Sequence, residues 1–348
     1  MSSLKPITII GGGLAGLTLG IGLGKNGIPV TVWEAGHYPR HRVCGEFISG
    51  RGQETLARLG LQKLFDEAGA VRANTVAFIS SAARSPARRL TEPALCLSRF
   101  AMDDLLAREF QRRGGQLRDD SRWQTNAPET EGVVRATGRR LKTAENGWRW
   151  FGLKAHARGV ELSADLEMHV SSNCYVGVGV TSDGAVNVCG LFRRRAGEAI
   201  SAPIGLEILR GEPGTLLRER LAKAVFDEKS FCAVAGLTLR PQRAAERNEC
   251  CIGDAVTMIP PVTGNGMSMA FESAEMAIEP LTNYSLGKIS WTDARQMLAH
   301  RCDQAFAQRL RWARFLQWMM FAVAPRSIVG PLGLRSERLW QFMFAKTR

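Results

Sequence analysis

The sequence is short of several signatures that would settle a protein class at once. Its eight cysteines include no C-x-x-C pair and no metal-ligand spacing, which argues against a metal centre. Cys250 and Cys251 are adjacent, unsuited to zinc or to an easy disulfide, so free thiols in a reducing cytoplasm are expected. The opening Met1-Ser2-Ser3-Leu4-Lys5 runs into a strand without the apolar core or small-residue cleavage site of a signal peptide. There is no internal repeat and no low-complexity linker, so any domains share a continuous interface. Acidic residues are scarce beside basic ones, 33 against 46, for a net charge of +13. No recognised binding motif accompanies that excess, and nucleic acid is not expected as a partner. With 45% hydrophobic and 23% charged residues in a chain of 348, neither disorder nor a fibrous class fits. The length accommodates two joined domains, or one with an inserted sheet.

What is present begins with a βαβ pattern. Residues 7–10 form an apolar run bounded by Pro6 and Gly11, the pattern of a buried strand. A helix is predicted over Leu14–Asn26 despite Gly20, Gly22 and Gly24, whose cost in helix propensity calls for close packing as compensation. A second strand over Pro29–Trp33 ends at Glu34. Between the first strand and the helix lies Gly11-Gly12-Gly13-Leu14-Ala15-Gly16, a G-x-G-x-x-G. Gly11 permits the tight turn, Gly13 lets the backbone approach a pyrophosphate, and Gly16 lets helix and strand pack closely. The helix N-terminus, opening with Leu14 and Ala15, offers free N–H groups and partial positive charge to phosphates. Glu34, followed by Ala35, lies eighteen residues after Gly16, where an acid accepts bonds from ribose hydroxyls. The unit predicts dinucleotide binding without choosing between FAD and NAD.

Helices are predicted over Gln53–Leu59 and Met102–Gly114. The pattern then changes to period two, predicting antiparallel strands over Trp150–Ala157, Leu166–Val170, Tyr175–Thr181 and Ala185–Leu191, with Ser182-Asp183-Gly184 as a hairpin turn. Such an insert is expected to wall a substrate pocket. A helix over Gly214–Phe226, a buried strand over Glu249–Gly253 and a mainly helical remainder from Trp291 complete the reading.

The choice of cofactor comes from Cys251-Ile252-Gly253-Asp254-Ala255 followed by Pro261-Val262-Thr263-Gly264-Asn265-Gly266 and a helix from Met267. Here the chain resembles the flavoproteins of the para-hydroxybenzoate hydroxylase fold. The resemblance implies that Asp254, after Gly253, bonds the ribityl chain of FAD, and that Gly264, Asn265, Gly266 and Met267 lie beside the flavin ring. Arg42-Val43-Cys44-Gly45-Glu46-Phe47-Ile48-Ser49 is similar to the cysteine-glycine segment of the geranylgeranyl-reductase-related branch. Leu97-Ser98-Arg99-Phe100-Ala101-Met102-Asp103 and Trp150-Phe151-Gly152-Leu153-Lys154-Ala155-His156 fit that branch too. The resemblance implies that Arg42 and Arg99 serve FAD and that Cys44 belongs to the active site, although a small buried thiol would look the same. Halogenases share the fold but carry W-x-W-x-I-P and a longer chain. Trp148-Arg149-Trp150-Phe151-Gly152-Leu153 lacks the Ile-Pro, which disfavours halogenation. Many hydroxylases of the fold carry a central Asp-Gly; Ala136-Thr137-Gly138-Arg139 stands there instead, and no second G-x-G-x-x-G supplies a nicotinamide site. Electrons are therefore expected from NAD(P)H at a variant surface or from a partner reductase.

The expected fold is α/β, with a Rossmann-like FAD-binding domain (1–70, 95–149 and 232–285), an inserted antiparallel β-sheet substrate domain (71–94 and 150–231) and a helical basic C-terminal region (286–348). His156 and His169 are candidate acid–base residues on the inserted sheet, and Trp148 and Trp150 candidate pocket aromatics, each with structural packing as the alternative. Two activities are carried forward. One is hydroxylation of a lipophilic aromatic or polyketide-like substrate through a flavin C4a-hydroperoxide. The other is reduction of a carbon–carbon double bond in an isoprenoid or other lipid. A flavin-binding protein without turnover is the third class. From Arg295 onward ten Lys/Arg face two acids, placing +8 of the charge in 54 residues. There Trp312–Ala324 and Leu332–Phe344 are apolar and aromatic with arginines alongside, too short to cross a bilayer, which needs ~20 apolar residues. They cap the core, or they lie on the inner membrane face of an otherwise cytoplasmic protein.

Overall fold

The apolar tetrapeptide at residues 7–10 becomes the central strand of a parallel sheet, with Ile7 and Ile9 fully buried. The computed structural model describes residues 4–81, 83–124, 130–139, 144–198, 205–322 and 336–347. Along the chain the elements are β1 (Ile7–Ile10), α1 (Leu14–Lys25), β2 (Val30–Trp33), β3 (Phe47–Ile48), α2 (Arg51–Arg58), α3 (Gln62–Glu67), β4 (Val71–Ser80), β5 (Arg88–Cys96), α4 (Arg99–Arg112), β6 (Gln116–Arg118) and β7 (Val133–Arg135). There follow β8 (Trp148–Arg158), β9 (Leu166–Val170), β10 (Cys174–Val180), β11 (Val186–Arg195), α5 (Leu206–Leu209), α6 (Leu216–Arg220), β12 (Val225–Leu237), β13 (Cys250–Cys251), α7 (Gly266–Ser285), α8 (Trp291–Phe321) and α9 (Glu337–Lys346).

The first sheet has the order β13-β7-β1-β2-β6. Its pairs are parallel, with Ile10 beside Trp33 on one side and Arg135 on the other. Parallel neighbours require crossover connections, and α1 supplies the one between β1 and β2. The glycines of α1 make close packing possible. A Cβ on Gly20 would stand 2.8 Å from the Phe110 ring of α4, and one on Gly22 only 2.3 Å from Ile278 of α7. Helices α1, α4, α7 and α8 thereby share one core with β1, β2 and β7. Arg309 of α8 and Glu272 of α7, both buried, form a two-point ion pair at 2.7 and 2.6 Å across it.

The second sheet has eight strands, in the order β12-β8-β11-β10-β9-β4-β5-β3. The hairpin between β10 and β11 forms where expected, Asp183 and Gly184 both taking positive φ (64° and 67°), as a type I′ turn requires. Four expectations are corrected. The sheet is mixed rather than antiparallel, because β4 runs parallel to β9. The helix expected over Gly214–Phe226 is confined to α6; Arg210 ends it by donating to the carbonyl oxygens of Leu221 and Ala224, and β12 follows. The domain boundary expected at 232 falls inside β12, which continues to Leu237 as part of the second sheet. Arg309 contributes nothing to the basic surface, being paired in the interior. Residues 323, 324 and 332–335 of the two aromatic segments lie outside the described residues. No helix among the described residues is long and apolar enough to cross a membrane.

Candidate functional site

A cavity of about 1470 Å³ runs between the two sheets, larger than the roughly 300–1,000 Å³ that holds a single small ligand. Its first half is built by the βαβ unit. Gly11, Gly13, Leu14, Ala15, Glu34, Ala35, Arg42 and Arg99 line it, and from the other end of the chain so do Gly253, Asp254, Gly264, Gly266 and Met267.

The shape of this half fits a dinucleotide. Gly13 precedes α1 in an extended conformation and makes no side-chain cap, so the first-turn N–H groups and the helix dipole are presented to the cavity. A Cβ on Gly13 would meet only the Arg99 guanidinium, at 3.9 Å. The space above the turn is therefore open to a ligand and closed to nothing of the protein. Gly16 differs, since a Cβ there would lie 2.0 Å from the Gly11 carbonyl oxygen. It serves packing, as the motif predicts. Tyr38 donates its hydroxyl to the Gly12 carbonyl and pins the loop.

Glu34 receives the Gly12 and Gly36 N–H groups at 2.9 and 3.1 Å and pairs with Arg40 at 2.6 Å and Arg42 at 3.4 Å. Burial pulls its pKa up, but Arg40, Arg42 and the Gly36 N–H hold it below the usual carboxylate range. It is an ionised acceptor at the end of β2. Arg42 bridges Glu34 to Asp103, which also accepts Arg99. Asp254 faces the void with 3.7 Å between it and the Arg139 guanidinium. Burial raises its pKa, with Arg139 and Arg99 opposing, and an enclosed carboxylate with an open side is suited to accepting hydroxyl groups. Gly253 must be glycine, with φ 61° and only 3.0 Å between an added Cβ and Ala15. Asn265 is the exception among the expected loop residues. It is buried outside the lining and donates its amide to the Thr347 carbonyl.

The second half is apolar and comes from one face of the second sheet. Alternate residues reach it: Val76 and Phe78 of β4, Leu166, Met168 and Val170 of β9, Tyr175 of β10, Leu191 of β11, as the two-residue period of a strand dictates. Helix α9 roofs this end. Trp340 lies 5.2 Å from the Phe78 ring, and Glu337 pairs with buried Arg88 of β5 at 3.0 Å. Trp312, Phe315, Leu316 and Met319 of α8 complete the wall with Phe342 of α9.

Between the halves stands Cys44. It lines the cavity, its carbonyl accepts Asn187 at 3.0 Å, its sulfur accepts the Glu46 N–H at 3.5 Å, and the Arg99 guanidinium reaches that sulfur. Cys189 of β11 and Cys232 of β12 line the cavity as well, flanking Lys154 of β8. Burial is the main cause that pushes the Cys232 thiol up to about 11.

Lys154 is fully buried, and so is its partner Glu46 at 1% exposure. The Glu46 carboxylate accepts the Lys154 ammonium at 3.2 Å, the Arg99 N–H at 2.8 Å and His156 Nε2 at 2.7 Å. Burial would raise its pKa, yet His156, Lys154 and the Arg99 N–H bring it below the ordinary value. Glu46 holds φ 56°, which costs a residue other than glycine roughly 1–2 kcal/mol; these bonds offset that. Lys154 also lies 3.2 Å from His41 Nδ1. Burial, Lys154 and His156 push the His41 pKa down to about 4, so the imidazole is neutral at pH 7.

The candidate residues from the sequence thus separate. His156 does not line the cavity; the 41–46 segment covers it, and it acts on Glu46. His169 is on the opposite face of β9, bonded to Glu167 at 3.0 Å. Trp148 and Trp150 pack beneath Arg193, with Trp150 edge-on to Phe321 at 5.2 Å. Sequence reasoning overlooked His41 at the cavity wall and the Glu46–Lys154 pair. The signal for the pair was present, since lysine inside the apolar run Gly152-Leu153-Lys154-Ala155 is seldom buried without an acid.

Residues 5–146 match the family model described as FAD binding domain. The chain therefore carries an FAD-binding domain, and FAD is its cofactor. Among solved structures the fold is similar to that of the flavin-dependent brominase Bmp2 (17% identity, TM-score 0.74), covering 98% of this chain and 92% of that one. It is also similar to the myxobacterial chondrochloren halogenase CndH (17%, TM-score 0.72, 99% and 97% covered). A third is PqsL, a probable FAD-dependent monooxygenase from Pseudomonas aeruginosa (15%, TM-score 0.68, 94% and 99% covered). Coverage this complete on both sides means that chain length does not set this protein apart from these two halogenases, although the chain covers only 68% of a third halogenase, CmlS. A curated relative, Conditioned medium factor receptor 1 of Dictyostelium discoideum, is 27% identical over 131 residues, 34% of this chain and about a quarter (26%) of that protein. Fold and cofactor together make the framework of an FAD-dependent oxidoreductase.

Proposed function

We propose, taking the FAD-binding domain of residues 5–146 as premise, that the protein is a monooxygenase that hydroxylates a lipophilic aromatic or polyketide-like substrate. The single observation that carries this reading is the continuity of the cavity. A dinucleotide cradle opens without a break onto an apolar chamber walled by the second sheet, α8 and α9. Bound FAD supplies the two electrons by which O2 is split between a C–H bond and water. Gly13, Leu14 and Ala15 would hold its pyrophosphate, Glu34 its ribose and Asp254 its ribityl hydroxyls. Arg42 and Arg99, themselves fixed by Asp103, add positive charge to that cradle. Phe78, Met168, Tyr175 and Trp340 exclude water and orient the substrate. Electrons come from NAD(P)H at a variant surface or from a partner reductase, consistent with the missing nicotinamide motif.

Incubation of the FAD-loaded protein, a reducing system and 18O2 with phenolic and polyketide-like compounds is expected to give a product heavier by one 18O atom. Product without the label, or anaerobic product heavier by two hydrogens, would replace this reading with the second one.

That second reading is reduction of a lipid double bond, favoured by the position of Cys44 at the junction of the two halves. Cys44→Ala separates them. Hydroxylation is expected to stay within about 3-fold of the parent rate, whereas loss of a proton-donating thiol costs about 100-fold or more. A loss of that size in steady-state turnover, at unchanged FAD content, would move the assignment to the reductase.

A further inference from the structure

We propose that the C-terminal half of α8 is a docking face for an anionic phospholipid bilayer, oriented so that the apolar chamber opens at the membrane surface. Arg311, Arg314, Phe315 and Trp318 are spaced i, i+3, i+4 and i+7, which puts them on one side of the helix. All four are exposed, Phe315 at 43% and Trp318 at 57%. Exposed aromatic rings of this size normally find cover, and arginine beside Trp and Phe is the composition of a helix lying in a headgroup layer. From Gln304 to Phe321 the helix has no acidic residue, so no carboxylate of that half of α8 repels anionic lipid.

The neighbouring stripe of the same turns, Trp312, Leu316 and Met319, lines the chamber, and Phe315 belongs to both surfaces. Phe342 of α9 continues the rim, 48% exposed and 5.5 Å from the Trp312 ring. The contact surface is therefore continuous with the chamber mouth. A substrate dissolved in the bilayer passes between apolar surroundings without crossing water. Charge decides the occupant. A second copy packed on this face by two-fold symmetry would set Arg311 and Arg314 against their own counterparts, while an anionic bilayer neutralises them.

The inference rests on the lipophilic-substrate reading, but binding is measured without turnover. The FAD-loaded protein is sedimented with vesicles of phosphatidylcholine alone and of phosphatidylcholine mixed with phosphatidylglycerol. Binding is expected to the mixed vesicles and to weaken as salt rises. Arg311→Gln with Arg314→Gln is expected to reduce it about 10–30-fold, and Trp318→Ser to weaken binding to both vesicle types. Neither variant alters a cavity-lining residue, and FAD absorbance with thermal melting verifies the fold. No sedimentation with mixed vesicles, or binding untouched by both variants, overturns the proposal. So does a dimer in analytical ultracentrifugation that Trp318→Ser dissolves. Vesicle binding without turnover of any lipophilic compound would leave the docking face standing and remove the substrate reading.

Discussion

Gly13→Val is expected to give a folded protein whose FAD affinity has dropped at least about 100-fold, equivalent to about 2.7 kcal/mol. The effect is steric. The added Cβ would project into open cavity, meeting only Arg99 at 3.9 Å, so the apoprotein is expected to keep its fold and its melting temperature. A phosphate seated on the first turn of α1 needs that same volume. Gly16→Val provides the contrast, because its Cβ would collide with the Gly11 backbone at 2.0 Å and damage the fold itself. Fluorescence titration of FAD into both apoproteins, with calorimetry alongside, distinguishes the two. Tight FAD binding by the Gly13 variant would show that the pyrophosphate lies elsewhere.

Lys154→Met is expected to destabilise the protein by about 3 kcal/mol, since removing one partner of a buried ion pair leaves the other charge without compensation. For a chain of 348 residues that is a fall in melting temperature of roughly 4 °C. The double variant Lys154→Met with Glu46→Gln should recover part of the loss, a coupling of at least about 1 kcal/mol in a double-mutant cycle. A single-variant cost below about 0.5 kcal/mol would mean that His156 and the Arg99 N–H suffice for Glu46. Acid acts on the same cluster. The Glu46 pKa is lowered in the fold, so its stabilisation is complete above the unfolded carboxylate value of about 4.3 and disappears as pH falls through the folded value. His41, held down to about 4, adds a loss that begins higher, near the unfolded imidazole value of about 6.5. Unfolding followed from pH 7 to about 2 should therefore show a decline that starts with His41 and continues below about pH 4.3 with Glu46.

The βαβ cradle was legible because its code is local. Strand, glycine turn, helix and terminal acid all fall within residues 7–34, and each glycine has the surroundings its position in the motif requires. The late Gly253-Asp254 segment was legible through resemblance, and Asp254 does face the cradle. Contacts over long separations were not. Glu46 and His156 are 110 positions apart, and nothing near either one names the other. The parallel pairing of β4 with β9 was hidden for a different reason: parallel and antiparallel strands buried on one face share the same two-residue period. Arg309, read as part of a basic tail, has its acid 37 residues earlier on a different helix. Asn265 sits in the expected loop, but only the fold shows its amide turned toward Thr347.

That last contact has a thermodynamic consequence. Helix α9 covers the apolar chamber through Trp340 and, just beyond its end, holds the loop that leads into α7 through Thr347 and Asn265. Because that loop borders the cradle, a ligand that steadies it also steadies α9 over the chamber. Coupling of this kind is reciprocal: to whatever extent cofactor occupancy changes substrate affinity, substrate occupancy changes cofactor affinity by the same factor.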